Sequence, residues 1–557
     1  MPLGQIKTKV DAVDDAGGLW HSPSGLTGRG GPVDAGDRLQ LAVDAKVTAR
    51  FGDAAAWNVG LKGDAIQRHL RTTYFDTGDG RLARRGLSLS VRADGRHYVQ
   101  RLTFEGKTED GAPAQHSWQS EIDGPKPQLE AITDPNLRER FGFLPPGTLK
   151  ALFVLDFDRD ERIVEVVEGG SASMIAVALD RGEIAAGEAV LPLREVELQR
   201  VQGSPLALYR LALSLLDQAL LDQAEMAFEP RSRAARGFTL ASGSPPPATK
   251  SFSIALEPEM SVEDGMVCIL SGCLAHFLAN QAAAADGRDP EGVHQFRVAL
   301  RRLRSALTTF APVLPPSQLA RMQEEARWAI RSFNAARDWD VFLDELLPPV
   351  VGKGSAERFA GLEAGARAAR AAAYDAARTM LRSSRYTRLV LDLGLWLNER
   401  GWRRESSGEA SERLAEPIAG YAGVLLAKRH KTALKRGKGF DSQPSEARHQ
   451  LRIALKKLRY LAEFFRSLYS GPPIEAYLAH LKSLQDTLGH LNDVATAERL
   501  IGEVIATGGS KQRSPEAMIG LATAGGRVLG WYGHGVERLE PSARRDWRDF
   551  KASEPFW

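Results

Sequence analysis

A pattern of eleven residues rich in cations occurs twice in this chain of 557 residues. The first copy reads His294-Gln-Phe-Arg297-Val-Ala-Leu-Arg301-Arg302-Leu-Arg304. The second, 155 residues later, reads His449-Gln-Leu-Arg452-Ile-Ala-Leu-Lys456-Lys457-Leu-Arg459. Seven positions are identical, and the other four are like-for-like exchanges. On a helix, positions i, i+3, i+7 and i+10 share one face. His294, Arg297, Arg301 and Arg304 would then form a stripe about 15 Å long, and His449, Arg452, Lys456 and Arg459 a second one. Like charges in a row work against helix stability, and acidic residues at i±4 are nearly absent, Glu463 being the exception. An arrangement that folding does not need points to a ligand that neutralises it. Guanidinium forks bind phosphate oxygens in pairs and lysine adds point charge, so two such stripes facing one groove suit a long linear polyanion. The histidines at equivalent ends would serve as donors. Arg302 and Lys457, beside the stripes, join the candidate set, and a basic run ahead of the second copy adds Lys428, Arg429 and Lys431. The bland alternative, a solvated helix face, is weakened by the recurrence. The repeat continues downstream, where Asp338 in Arg337-Asp338 returns as Asp493 in Asn492-Asp493.

Other chemistry is sparse. No phosphate-cradling lysine follows a glycine-rich loop, and no His-Glu-x-x-His occurs. Cys268 and Cys273 fit no usual zinc spacing and read as small buried apolar residues. Two cysteines make no disulfide framework, which suits a reducing compartment. The stripes lack interleaved aromatics for base stacking, so no specific nucleic acid is expected as partner.

The elements that must carry these residues fall into two halves. The length is too great for one core, and 43% hydrophobic with 26% charged residues is ordinary for a globular chain. Residues 1–250 carry a formal charge of −4 and residues 251–557 one of +7, within an overall +3. The first 36 residues lack periodicity and read as a flexible tail. In 37–236, Arg38–Val43, Gly86–Arg92, Tyr98–Phe104 and Glu195–Arg200 alternate as short strands, which suggests an antiparallel barrel or sandwich, with a helix near Pro205–Gln223. Gly237–Lys250 is rich in Gly, Ser and Pro, so 237–252 is expected to be a linker. Residues 253–557 show 3.6-residue periodicity throughout and, with the repeat, predict a duplicated helical bundle that folds alone. No stretch of 18 uninterrupted apolar residues occurs. Met266–Ala285 carries Ser271, His276, Asn280 and Gln281, so it reads as a buried core helix rather than a membrane span. Met1–Val10 has no apolar signal region, and a cytoplasmic location without membrane partners is expected.

The helical half resembles the CHAD family, the conserved histidine α-helical domain. The resemblance rests on VHQFRVALRRLRSAL (Val293–Leu307), RDWDV (Arg337–Val341), RHQLRIALKKLRYLAEFF (Arg448–Phe465) and LQDTLGHLNDVATAERL (Leu484–Leu500). It implies two halves like four-helix bundles around a basic cavity, inorganic polyphosphate as partner, and association with polyphosphate granules. Arg337, Asp338, Asn492 and Asp493 would orient the stripe residues. The first half resembles the CYTH family, the triphosphate tunnel metalloenzyme barrel, through Tyr74-Phe75-Asp76-Thr77, Leu89–Arg92, Val177–Ile184 and Glu195-Val-Glu197-Leu-Gln199. In that family acidic side chains hold Mg²⁺ or Mn²⁺ and basic ones grip triphosphate. Here the first-strand Glu-x-Glu-x-Lys is replaced by Arg38, Gln40 and Ala42, or by Gln5, Lys7 and Lys9 if the strand lies earlier. Arg-x-Arg has become Ser90-x-Arg92, and the next lysine is Glu105. Arg92, Arg159, Glu195 and Glu197 survive, and Glu195 and Glu197 are the remaining metal candidates. The other reading of these survivors is ordinary barrel-interior ion pairing. The expected fold is thus an N-terminal antiparallel β tunnel barrel plus a C-terminal all-α duplicated bundle. The expected function is polyphosphate binding by the bundle, with a non-catalytic barrel and no required cofactor. The alternative is a metal-dependent inorganic triphosphatase or polyphosphatase, in which Mg²⁺ or Mn²⁺ would serve an active barrel.

Overall fold

The computed structural model describes residues 38–557 except 51–59, 96, 108–112, 133–134, 136–137, 140–143, 145–146, 354–355, 407 and 510–513. For some further residues inside helices and strands, 490–495 and 535–539 among them, only the backbone is described. The expected tail, 1–36, and the alternative first strand with Gln5, Lys7 and Lys9 lie outside the described residues. The strands are β1 (Arg38–Val43), β2 (Gly60–Thr77), β3 (Leu87–Asp94), β4 (His97–Lys107), β5 (Pro113–Ile122), β6 (Leu149–Glu168), β7 (Ser171–Ala186), β8 (Ala189–Gln202) and β9 (Met226–Phe228). The helices of eight or more residues are α1 (Leu206–Leu221), α2 (Arg233–Ser242), α3 (Val262–Asp286), α4 (Pro290–Thr309), α5 (Pro316–Ser332), α6 (Asn334–Val341), α7 (Ala360–Arg382), α8 (Ser384–Asn398), α9 (Ile418–Arg436), α10 (Ser445–Phe464), α11 (Pro472–Gly509) and α12 (Pro515–Ala552). They form two compact units. One runs to Pro246 and includes Leu381–Glu399; the other comprises Pro247–Met380 and Arg400–Trp557.

The first unit is a nine-stranded, tunnel-like antiparallel sheet in the order β5-β4-β3-β2-β6-β7-β8-β1-β9. On β8, Val196 and Leu198 are buried on one face and Glu195 and Glu197 on the other. A strand covered on both sides is thus lined by carboxylates on one of them. Helix α2 covers part of the sheet. Phe238 meets Tyr74 and Phe153 edge-on, at centroid distances of 5.8 and 5.0 Å, and those two rings stack at 4.6 Å. Gly237 permits the approach, because a Cβ there would stand 2.1 Å from the Phe153 ring. The expected linker therefore begins too early. Gly237–Ser242 completes α2, which Gly243 ends in the left-handed conformation at φ 65°. Helix α8 also belongs to this unit, although it lies inside the expected 253–557 helical domain. The Thr387 hydroxyl accepts from the Phe228 N–H and donates to the Met226 carbonyl, both at 3.0 Å, tying α8 to the edge strand β9.

The second unit is all-α and internally duplicated. Helices α4 and α10 each span 20 residues and begin at the same 155-residue offset as the sequence repeat; α7 and α12 begin at that offset too. The α5–α6 pair, broken at Phe333, corresponds to the single long helix α11. Pro290 at the first turn of α4, with Asp289 accepting from the Glu291 N–H at 2.9 Å, fixes where that helix starts. The far ends of both copies share one core. Trp339, Phe342 and Leu362 from the first pack with Leu500, Val504, Leu521 and Val528 from the second. Helix α3 is long and apolar enough to cross a membrane, yet most of it is buried, as in a core helix.

Candidate functional site

Helices α4 and α10 meet through one carboxylate. Arg302 Nη1 donates to Glu463 Oε2 at 2.5 Å, and Arg459 Nε donates to Glu463 Oε1 at 2.7 Å. Arg302 also lies over the Phe464 ring, 5.0 Å from its centroid. Arg302, Arg459 and Glu463 border a cavity of about 650 Å³ with Arg466 and Lys482.

The first stripe divides by burial. Arg297 is 6% exposed and donates to the Phe333 carbonyl at 2.7 Å, at the break between α5 and α6. Burial, then Arg301, depress its proton affinity; a guanidinium stays cationic even so. Arg297 therefore serves packing as much as any ligand. Arg301 and Arg304 are half-buried. Burial, then Arg327 and Arg331 of α5, hold Arg304 below the usual arginine value, and its Nε is buried with no hydrogen-bond partner among the described residues. His294 is held below the usual histidine value by burial first, then Arg337 and Arg301, so it is neutral at pH 7 and keeps one N–H to donate.

Lys457 joins the stripes across the two copies. Burial first, then Arg429, Arg304 and Arg436, depress it below the ordinary lysine value. Arg429 and Arg436, seven residues apart on α9, thus act on Lys457 as Arg304 does, whereas Lys428 and Lys431 lie on another side of that helix. Among the described residues no carboxylate pairs with Arg301, Arg304, Arg429 or Lys457. His449, Arg452 and Lys456 are half-buried. The Arg452 guanidinium passes 3.7 Å from where a Cβ on Gly489 would stand. Arg337 donates to Glu345 at 2.9 Å, and Asp338 accepts from Arg499 of α11 at 2.6 Å. The Asn492 and Asp493 side chains lie outside the described residues. Arg327 and Arg331 were missing from the sequence-derived set, whereas Arg436 belongs to the basic run ahead of the second copy. The i, i+4 pair on α5 was the available signal, masked by Glu324, which pairs with both of its arginines.

The sheet unit holds a different cluster. β1 pairs with β8 so that Gln40 faces Glu197 and Ala42 faces Glu195. Into this interior α2 inserts Arg233, whose side chain is 0% exposed. It donates to Glu195 Oε2 at 3.1 Å, to Glu197 Oε2 at 3.0 Å, and to Asp180. Arg159 holds both Asp180 oxygens at 2.8 Å and Glu197 Oε1 at 3.1 Å. Arg236 pairs with Glu195, and Arg38 lies 3.7 Å from Glu197. Burial pushes the Glu197 carboxyl up, and Arg159, Arg38 and Arg233 more than reverse this, leaving it well below the usual carboxylate range. The Glu105 side chain lies outside the described residues.

Residues 49–232 match the CYTH domain family and residues 268–502 the CHAD domain family. The chain carries a CYTH domain followed by a CHAD domain. An inorganic triphosphatase of Haemophilus influenzae is 31% identical over 175 residues, 31% of this chain and 46% of that one. An uncharacterized protein of Mycobacterium tuberculosis is 31% identical over 237 residues, 41% of this chain and 43% of its own. The chain spans less than half the length of these relatives. The crystal structure of the CHAD domain from the plant Ricinus communis is 32% identical and covers 54% of this chain and 96% of its own, with a TM-score of 0.47. The CYTH resemblance implies a divalent cation on Glu195 and Glu197. The residues present do not fit one. Arg233, Arg236, Arg159 and Arg38 hold those carboxylates, and no cluster of metal-binding side chains occurs among the described residues.

Proposed function

We propose that this protein binds inorganic polyphosphate through its CHAD unit and that its CYTH unit is not a metal-dependent hydrolase. The reading rests on one observation: among the described residues no carboxylate pairs with Arg301 and Arg304 of the first copy, Lys457 of the second or Arg429 of α9, and Lys457 feels the charge of Arg304 and Arg429. Cations of one sign held near one another, Arg301, Arg304 and Arg429 half-buried and Lys457 exposed, cost folding energy unless a ligand neutralises them, and each charge-assisted phosphate contact is worth about 1.5–3 kcal/mol. Binding should weaken steeply with salt as counterions are released, by analogy with nucleic acids. A location on polyphosphate granules follows from the same reading.

The second reading, a metal-dependent triphosphatase, is favoured by the similarity of part of the chain to the Haemophilus influenzae inorganic triphosphatase. Two measurements separate them. Titration with inorganic polyphosphate at fixed salt, in competition with single-stranded DNA, should show preference for polyphosphate and a large loss in an Arg304→Gln, Lys457→Gln variant. Phosphate release from inorganic triphosphate with Mg²⁺ or Mn²⁺ should stay at background. Turnover that vanishes in Glu195→Gln, Glu197→Gln would replace the first reading by the second.

A further inference from the structure

The two copies of the repeat place equivalent cations together twice. Arg302 and Arg459 share Glu463. At the 155-residue offset, Arg302 corresponds to Lys457 and Arg459 to Arg304, and those two also feel each other's charge. Lys482, which borders the cavity with Arg459, corresponds to Arg327, which acts on Arg304. The site therefore has two arms related by approximate two-fold exchange. Their charges differ. Around Arg459 stand Glu463 and, further off, Asp486. The equivalent positions around Arg304 are Thr308 and Arg331. Arg429 and Arg436 reinforce the Arg304 arm, while their counterparts, Leu274 and Gln281, carry no charge. Glu324, bound to Arg327 and Arg331, is the carboxylate on the stronger arm.

We infer that the site is one-ended: a phosphate chain lies along the Arg304–Lys457 arm, and Glu463 closes the Arg302–Arg459 arm to it. The inference rests on the proposed polyphosphate binding and adds a direction to it. Glu463 takes up the donors of two arginines and presents negative charge to any phosphate approaching that arm, whereas Thr308 leaves the other arm's cations to the ligand. The chain then leaves the groove at one side only.

Moving the glutamate tests this. Affinity for long-chain inorganic polyphosphate would be measured over a salt series for the parent, Glu463→Thr, Thr308→Glu and the double exchange, each checked for folding by its thermal midpoint. Glu463→Thr should bind roughly tenfold or more tightly, with a salt slope steeper by about one to two, since two further cations become available. Thr308→Glu should lose roughly tenfold or more, and the double exchange should regain most of that loss. If Glu463→Thr fails to fold, Thr308→Glu and its rescue still decide. Unchanged affinity and slope in both folded single variants would overturn the one-ended site while leaving polyphosphate binding intact. A parent that does not bind polyphosphate overturns both.

Discussion

Arg233 is balanced against three buried carboxylates, and removing it would leave Asp180, Glu195 and Glu197 short of one guanidinium. Breaking a buried ion cluster by deleting one partner typically costs about 3–5 kcal/mol. Arg233→Met should lower the first unit's thermal midpoint at pH 7 accordingly. The pH dependence carries a sign. Glu197 is held below its ordinary range in the folded parent, so its contribution is complete above about pH 4.3 and fades as pH falls through the lower folded value. In the variant the carboxyls would protonate more readily, so the gap to the parent should narrow between pH 7 and pH 4. A gap that stays constant would show that the cluster carries no electrostatic stability. In the second unit, Arg297 and Arg301 look alike on a helical wheel but should behave differently. Arg297→Met should cost about 1–3 kcal/mol through the lost bond to the Phe333 carbonyl. Arg301→Gln should hold the midpoint within about 0.5 kcal/mol and lower polyphosphate affinity about tenfold or more. Equal effects of both on stability would contradict this division. The sequence displayed the stripe but not this difference, because what sets Arg297 apart is a helix break 36 residues downstream.

Repeated elements announce themselves; elements that depend on distant partners do not. The α4 and α10 helices were legible because an apolar face and a cationic face recur with the same spacing. Strands β1, β3, β4 and β8 showed their alternation. Helix α2 was half hidden. Its Gly237 and the following Gly243 and prolines read as loop, and the rings that Phe238 packs on lie in β2 and β6. The Arg233 inserted among the carboxylates escaped for the same reason, since no motif links it to Glu195 and Glu197. The packing yields a test. Gly237→Ala forces a methyl group against the Phe153 ring, and such overpacking costs about 1–3 kcal/mol. The loss should appear as a lower midpoint of the first unit, with polyphosphate affinity unchanged. A midpoint equal to the parent's would mean that α2 is free to shift away from the sheet.

Across the whole molecule, charge is partitioned rather than large: the formal −4 of residues 1–250 and the +7 of 251–557 nearly cancel. An anionic ligand would therefore be drawn by a local field and not by net charge. The division between the halves was legible in composition, but the return of α8 to the sheet unit was not, because its apolar residues have the same period as those of its helical neighbours. That return has a consequence for synthesis. As the chain leaves the ribosome, β9 and α1 are complete long before α8 exists, and all of Pro247–Met380 must be made in between. At about 5–20 residues per second, this leaves the β9 edge without its Thr387 contacts for on the order of ten seconds. An unpaired strand edge in a nascent chain invites wrong pairing. Ribosome-stalled chains ending before Leu381 should stay protease-sensitive in the sheet unit. Chains long enough for Glu399 to clear the exit tunnel should become resistant, and equal resistance at both lengths would show that the sheet closes without its late helix.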